Sequence, residues 1–140
     1  MRTIFVDANI VIDWLNSDSV ENELCTQCIQ TIVGLYKKPM ISSTSIAIAF
    51  YIISKSYKQK GKVMEVLKKS FSYFDISTED EETTREALNS NFEDLEDAIQ
   101  YYSAIKSKAD AILTFNAFDF KGSKIPVLHP GEFLQLHTIN

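Results

Sequence analysis

The 140-residue chain holds no apolar run near the ~20 residues that a membrane-spanning helix requires. It also lacks a charged leader followed by a long apolar stretch, because Asp7 interrupts the first apolar run. A cytoplasmic protein with no membrane contact is the expectation. Cysteine is limited to two residues, Cys25 and Cys28. They form a Cys-x-x-Cys pair, but both fall on the apolar stripe of a helix read over Val20 to Tyr36. Without a second ligand pair or a strand–turn context, zinc and redox roles are set aside in favour of buried thiols in a reducing compartment. Histidine is as sparse: His129 reads as an N-cap or loop residue and His137 as a surface one, and neither has a partner that would make it a general base. Repeats, low-complexity tracts and linkers are absent, so residues 1–140 are read as one domain.

What is present is unevenly spread. The net charge of -5 divides into a basic and an acidic sector. Between Lys37 and Lys69 eight lysines face Glu65 alone, a local +7. Between Asp75 and Asp97 ten acids face only Arg85, a local -9. Two solvated helix faces would account for this, and so would a protein that meets RNA phosphates with one sector and holds cations with the other. Lys55, Lys58 and Lys62 are the candidate nucleic-acid contacts. Overall acidity argues against tight non-specific binding to duplex DNA.

Three acids stand at the ends of apolar segments. Thr3 to Val6 is a β-prone run that stops at Asp7, with Asn9 beside it and Ile10, Val11, Trp14 and Leu15 following at helical spacing. Asn91 to Phe120 begins with Glu93, Asp94, Glu96 and Asp97 and continues as a helix with Leu95, Ala98, Ile99, Tyr102 and Ile105 on one stripe. Ala111 to Phe115 then reads as a short buried strand, with Asp119 in the turn beyond it. Taken singly, each acid has an ordinary explanation: Asp94 as an N-cap, Asp97 as a loose capping-box partner, Asp119 as a turn residue. Taken together, carboxylates at strand ends converge in the crevice where open parallel sheets bind ligands. There they would repel one another unless a divalent cation neutralised them, and Mg²⁺ or Mn²⁺ suits such oxygen donors.

The remaining elements alternate. A second strand is expected at Met40 to Ser42. A helix follows, capped by Ser43 or Thr44, with a core stripe of Ile46, Ala49, Phe50, Ile53 and Tyr57. Gly61 marks a break before a basic helix that runs through Lys69, a third strand spans Ser72 to Ile76, and an acidic helix spans Glu79 to Ser90. The last strand is placed at Ile125 to Leu128, before a helix starting at Pro130 that packs Phe133, Leu134 and Leu136. This pattern predicts a three-layer α/β/α domain with a mainly parallel sheet and a protruding helical hairpin over residues 43–69.

At Val6-Asp7-Ala8-Asn9, Phe92 to Ala104, and Thr114-Phe115-Asn116-Ala117-Phe118-Asp119-Phe120 the chain resembles PIN-domain proteins. That nuclease family includes the toxin half of many bacterial toxin–antitoxin pairs of the virulence-associated protein C type. The segments Lys124 to Leu128 and Glu132 to Leu134 also fit. The resemblance implies a ribonuclease with one or two Mg or Mn ions held by Asp7, Asp97 and Asp119, and Asp94 as a neighbouring ligand. It further implies that Asn9, Thr114 and Asn116 shape the pocket, that the substrate is single-stranded or structured RNA, and that the protein is a homodimer with an antitoxin partner. Three positions depart from the pattern. Ala8 stands where the family has Thr or Ser, and Phe115 where it often has a basic residue. Ile48 occupies the place of a glutamate; it lies off the core stripe and is expected to line the pocket. A PIN-like RNA-binding or partner-binding protein with weakened or lost catalysis is therefore the alternative. A receiver domain is excluded because residues 41–60 contain no acid. A haloacid-dehalogenase-type phosphatase needs an Asp where Asn9 stands.

Overall fold

The computed structural model describes residues 1–137. Five strands form one sheet in the order β3-β2-β1-β4-β5, every pair parallel. They are β1 (Thr3–Val6), β2 (Lys38–Ser42), β3 (Asp75–Ser77), β4 (Ala111–Leu113) and β5 (Val127–Leu128). The helices are α1 (Ala8–Leu15), α2 (Asn22–Gly34), α3 (Ser43–Ser54), α4 (Lys60–Ser70), α5 (Glu81–Leu88), α6 (Leu95–Lys106) and α7 (Pro130–Leu136), with a 3-10 turn at Ala117–Phe120.

Side-chain alternation along the strands divides the interior in two. Ile4 and Val6 of β1, Ile41 of β2, and Ala111 and Leu113 of β4 point into a core built with α1, α2, α3, α4 and α7. Phe5, Met40 and Ile112 point the other way, onto Tyr101 and Ala104 of α6 and onto Phe120. Central strands covered on both faces need apolar side chains at every position, and the fully buried β4 meets that condition. Helices thus lie on both faces of a parallel sheet, with α3 and α4 forming a helical hairpin over residues 43–70.

Several local readings change. The stripe expected on α6 is rotated: Leu95 is half exposed, and the inward residues are Ala98, Gln100, Tyr101, Ser103 and Ala104. Polar Gln100 and Ser103 find buried hydrogen-bond partners, so a hydrophobicity pattern missed them. The third strand starts at Asp75, because Phe74 turns inward to meet Trp14 and Phe71 rather than joining the ladder. The second strand starts at Lys38, two residues before the expected Met40, and takes in Pro39. Gly61 sits inside α4. The cap of α3 is Ser42, whose side chain accepts from Ser45 N–H, one residue before the expected Ser43. Tyr57 and Leu136 are exposed, not packed.

Cys25 and Cys28 are free and fully buried, and burial pushes both thiols up to about 12. They are core residues. No helix of the described residues is long and apolar enough to cross a membrane.

Candidate active site

The strand order reverses at β1, with β2 on one side and β4 on the other, and chain crossovers leave from the same ends of these strands. A crevice therefore opens at the carboxyl ends of β1 and β4. Asp7 is the first residue past β1. Its N–H still donates to Leu113 O (3.0 Å), and its carbonyl accepts from Ile10 and Val11 to start α1. Ladder and helix start together fix its backbone. Its carboxylate is buried, and Oδ2 accepts from Thr114 Oγ1 at 2.7 Å. Thr114 is itself fully buried just past β4, and its hydroxyl accepts from Asn116 N–H (3.1 Å). Burial raises the Asp7 pKa, and the hydrogen bond from Thr114 only partly offsets it.

Gln100 forms the far wall. Its Oε1 accepts from Ala8 N–H (3.1 Å) and from Ser45 Oγ (3.2 Å), tying α6 to the first turn of α1 and to α3. Ser45 Oγ also meets Ser42 Oγ at 2.9 Å. Among the described residues Gln100 Nε2 is buried with no hydrogen-bond partner, although the Gln100 side chain does act to lower the Asp7 pKa. No motif pointed to Gln100. The only signal was a polar residue on the inner face of a helix.

At the mouth, Asp94 caps α6, its Oδ1 accepting from Asp97 N–H at 3.1 Å. This is the ordinary role weighed for it, and it leaves Oδ2 uncommitted to the cap. Asp97 is half-buried in the first turn, and its pKa rises to about 7. Desolvation is the largest cause, followed by the negative charges of Asp7, Asp94, Asp119 and Glu96. Glu96 is raised too, by desolvation, Asp94 and Asp7. Asp119 is exposed on the 3-10 turn, where buried Phe120 anchors the backbone. Residues from three chain segments thus feel one another's charge at the crevice. They are not drawn into a tight cage: among the described residues no group of three His, Cys, Asp or Glu side chains is arranged to hold a metal ion.

Asp94, Asp97 and Asp119 share the wall of one cavity of about 730 Å³ with Tyr102, Phe118, Lys121 and Lys124. A second cavity, about 750 Å³, lies between α3, α4 and β3; it is apolar and lined by Ile46, Phe50, Met64 and Ile76, far from this chemistry in character. Asn9 and Asn116 are exposed beside the buried pair. Ile48 is half-buried and belongs to neither apolar core. Lys55, Lys58 and Lys62 are exposed at the tip of the hairpin and do not line the acidic cavity; its cations, Lys121 and Lys124, were not singled out from sequence. His129 caps α7, its Nδ1 accepting from Gly131 N–H, and His137 meets Phe133 O. Both histidines are committed away from the acids.

A family model described as PIN domain matches residues 3–117, a span that includes Asp7, Asp94 and Asp97 and stops two residues before Asp119. Ribonuclease VapC1 of Aquifex aeolicus (strain VF5) is 28% identical over 137 residues, covering 94% of this chain and 93% of the relative. Similar solved structures include FitAB bound to an IR36 DNA fragment, with a TM-score of 0.69 at 13% identity over 91% of this chain and 94% of that one. VapBC2 from Rickettsia felis, bound to a DNA fragment from their promoter, gives 0.64 at 18% identity over 91% and 98%. Mycobacterium tuberculosis VapC20, a Sarcin-Ricin loop cleaving toxin, gives 0.60 at 10% over 78% and 86%. At these identities the structural likeness is one of fold.

Proposed function

The chain belongs to the PIN-domain family, and from that premise we propose that it is a Mg- or Mn-dependent endoribonuclease, the toxin of a toxin–antitoxin pair. The observation that carries this reading is the electrostatics of Asp97. Its carboxyl is pushed up to about 7 by burial and by four other acids from β1, α6 and the 3-10 turn. Carboxylates that raise one another's pKa gain most from a shared cation.

The donor set fits such a group. All the candidate ligands, Asp7, Asp97, Asp119 and the free oxygen of Asp94, are hard carboxylate oxygens, the type that Mg and Mn prefer. The open arrangement also fits, because Mg is usually held by one or two carboxylates with waters and substrate phosphates rather than by an all-protein cage. A bound ion of this kind neutralises the acids, lowers the pKa of water and stabilises charge on the phosphoryl oxygens. The chain's own contribution is positioning. Thr114 fixes the Asp7 carboxylate, Gln100 fixes the Ala8 turn, and Asp94 fixes the first turn of α6 that carries Asp97. With both histidines occupied elsewhere, no side chain stands ready as an imidazole base.

The likeness to Ribonuclease VapC1 over nearly the whole chain supports RNA as substrate. Likeness to VapBC2 and FitAB supports an antitoxin partner, and the family resemblance implies a homodimer. A second reading has its own observation: Ile48 puts an apolar side chain where a further ligand is expected, and no three-ligand cluster is formed. That reading is a PIN-like protein that binds RNA or a partner with weakened or lost catalysis. Calorimetric titration with Mn²⁺, paired with cleavage of single-stranded RNA, separates the two. Mn²⁺ binding and cleavage that are both lost in Asp7→Asn and Asp97→Asn support the nuclease. Absence of heat and of cleavage in the unmodified protein overturns it.

A further inference from the structure

The cavity beside the acids holds more than carboxylates. Phe92 packs against Tyr101 (5.4 Å between ring centroids), Tyr102 (6.1 Å) and Phe120 (6.2 Å), and Tyr101 meets Tyr102 at 5.2 Å. These rings make a rigid aromatic floor. Phe118 stands at the rim, 76% exposed, with Lys121 Nζ 4.9 Å from its ring centroid. Folding does not demand a large bare aromatic ring on a short turn.

The lysines are held there by backbone. Gly122 adopts φ +87°, a left-handed conformation that favours glycine, and turns the chain sharply after Lys121. Ser123 N–H donates to Phe120 O (3.0 Å), Ser123 Oγ donates to Ile125 O (2.7 Å), and Lys124 N–H donates to Tyr101 Oη (2.9 Å). The loop from 121 to 125 is thus stitched to the aromatic floor, and Lys121 and Lys124 line the same cavity as the acids.

We propose that this cavity is a nucleoside subsite, which takes one unpaired RNA base, stacked on Phe118 and Tyr102, next to the phosphodiester presented to Asp97 and Asp119. The proposal rests on the nuclease reading above and specifies its substrate as single-stranded RNA at that position. Its volume of about 730 Å³ is within the usual range for small-molecule pockets. Aromatic faces stack any base, and cations flanking them take the adjoining phosphates. A base inside a duplex has both faces covered by its neighbours and cannot enter.

The test uses a single-stranded RNA hexamer with 2-aminopurine at its third position, mixed rapidly with the protein in Mn²⁺ so that the binding phase is read before turnover. Stacking quenches the fluorophore. Phe118→Ala should remove most of the quench and weaken binding about tenfold, while Phe118→Trp keeps both. Mn²⁺ affinity measured without RNA should be equal in all three proteins, since Phe118 touches no carboxylate role. The same hexamer annealed to its complement should show little quench. An unchanged quench and affinity in Phe118→Ala, or equal quenching of the duplex, overturns the subsite. Failure of the unmodified protein to bind Mn²⁺ would instead count against the metal reading, and the quench would still decide the subsite.

Discussion

Thr114 Oγ1 donates a 2.7 Å hydrogen bond to Asp7 Oδ2, joining two side chains 107 residues apart, one past the end of β1 and the other past the end of β4. Both are buried, and the sheet register that pairs Val6 with Leu113 sets the distance between them. The hydroxyl aims the carboxylate and favours its charged form against desolvation. Thr114→Val keeps the shape and removes the donor. We expect a stability loss of about 1–3 kcal/mol and a fall of about 10- to 100-fold in Mn²⁺ affinity, the usual cost of losing an outer-shell partner. Thr114→Ser should recover most of both. Melting curves and calorimetric titrations on the two variants check this.

Acidity should change the metal-free protein in a definite direction. The Asp97 pKa is raised to about 7 in the folded state from the ordinary 3.8, so the folded protein holds a proton that the unfolded chain releases. Its contribution to stability is complete below about pH 4 and is lost as pH rises through 7. The metal-free protein should therefore melt higher at pH 5.5 than at pH 8, and Asp97→Asn should flatten that difference. Mn²⁺ competes with the same proton, so its stabilising effect should be larger at pH 8. A melting temperature that rises with pH over this window, and is insensitive to Asp97→Asn, contradicts the charge coupling.

Gln100 offers a further contrast. Gln100→Leu leaves Ala8 N–H without its buried acceptor, a cost of about 1–3 kcal/mol, while Ser45 Oγ keeps only its hydrogen bond with Ser42 Oγ. Gln100→Glu keeps both acceptors but adds charge beside Asp7, whose carboxyl is already raised. We expect Gln100→Leu to melt lower at every pH. Gln100→Glu should melt lower mainly above neutrality and regain stability with Mn²⁺.

The approach of the acids to one another was partly legible in the sequence. Asp7 and Asp119 stand beyond the ends of apolar strands and Asp97 at the acidic start of a helix, and an alternating β/α chain has few ways to place such ends except along one edge of a parallel sheet. Asp94 was legible twice over, as a cap and as a neighbour of the site. The inner wall was hidden for a physical reason. Gln100, Ser45 and Ser42 are polar residues buried through mutual hydrogen bonds, and a pattern built on hydrophobicity assigns them to the outside. Lys121 and Lys124 were overlooked because only a local turn at Gly122, with no run of like charge, brings them to the cavity.

The two lysine sets give separable salt effects on RNA binding. Neutralising Lys55, Lys58 and Lys62 together should reduce the slope of log affinity against log salt by about 2 if each meets a phosphate of single-stranded RNA. All three are exposed, so the melting temperature should hardly move. Lys121→Gln with Lys124→Gln should lower the slope by about 1.4 by the same rule. A triple hairpin variant with an unchanged slope would confine RNA to the acidic cavity and its own cations.

Ile48 is the position where a single substitution distinguishes the two functional readings. On α3, Ser45 and Ala49 are buried, and Ser45 reaches Gln100 and through it the Ala8 turn. Ile48 lies three residues on, and so on the neighbouring face of the same helix, with Ile52 one turn beyond it and 38% exposed. It is half-buried and packs into neither apolar core, and we propose that its side chain borders the crevice. Ile48→Glu should then cost little stability in the presence of Mn²⁺, because solvent and the cation both reach the new carboxylate. It should tighten Mn²⁺ binding and raise any cleavage of single-stranded RNA. In the metal-free protein the added charge meets Asp7 and Asp97, so the melting temperature should drop and Mn²⁺ should restore it. Were Ile48 ordinary core, a buried unpaired carboxylate would cost several kcal/mol that no cation could return. The comparison needs melting curves of Ile48→Glu with and without Mn²⁺, beside Ile48→Gln, which changes shape and polarity alike but brings no charge. Rescue by Mn²⁺ in the glutamate variant alone places Ile48 at the metal-binding crevice, and equal loss in both variants with no rescue removes it from the site.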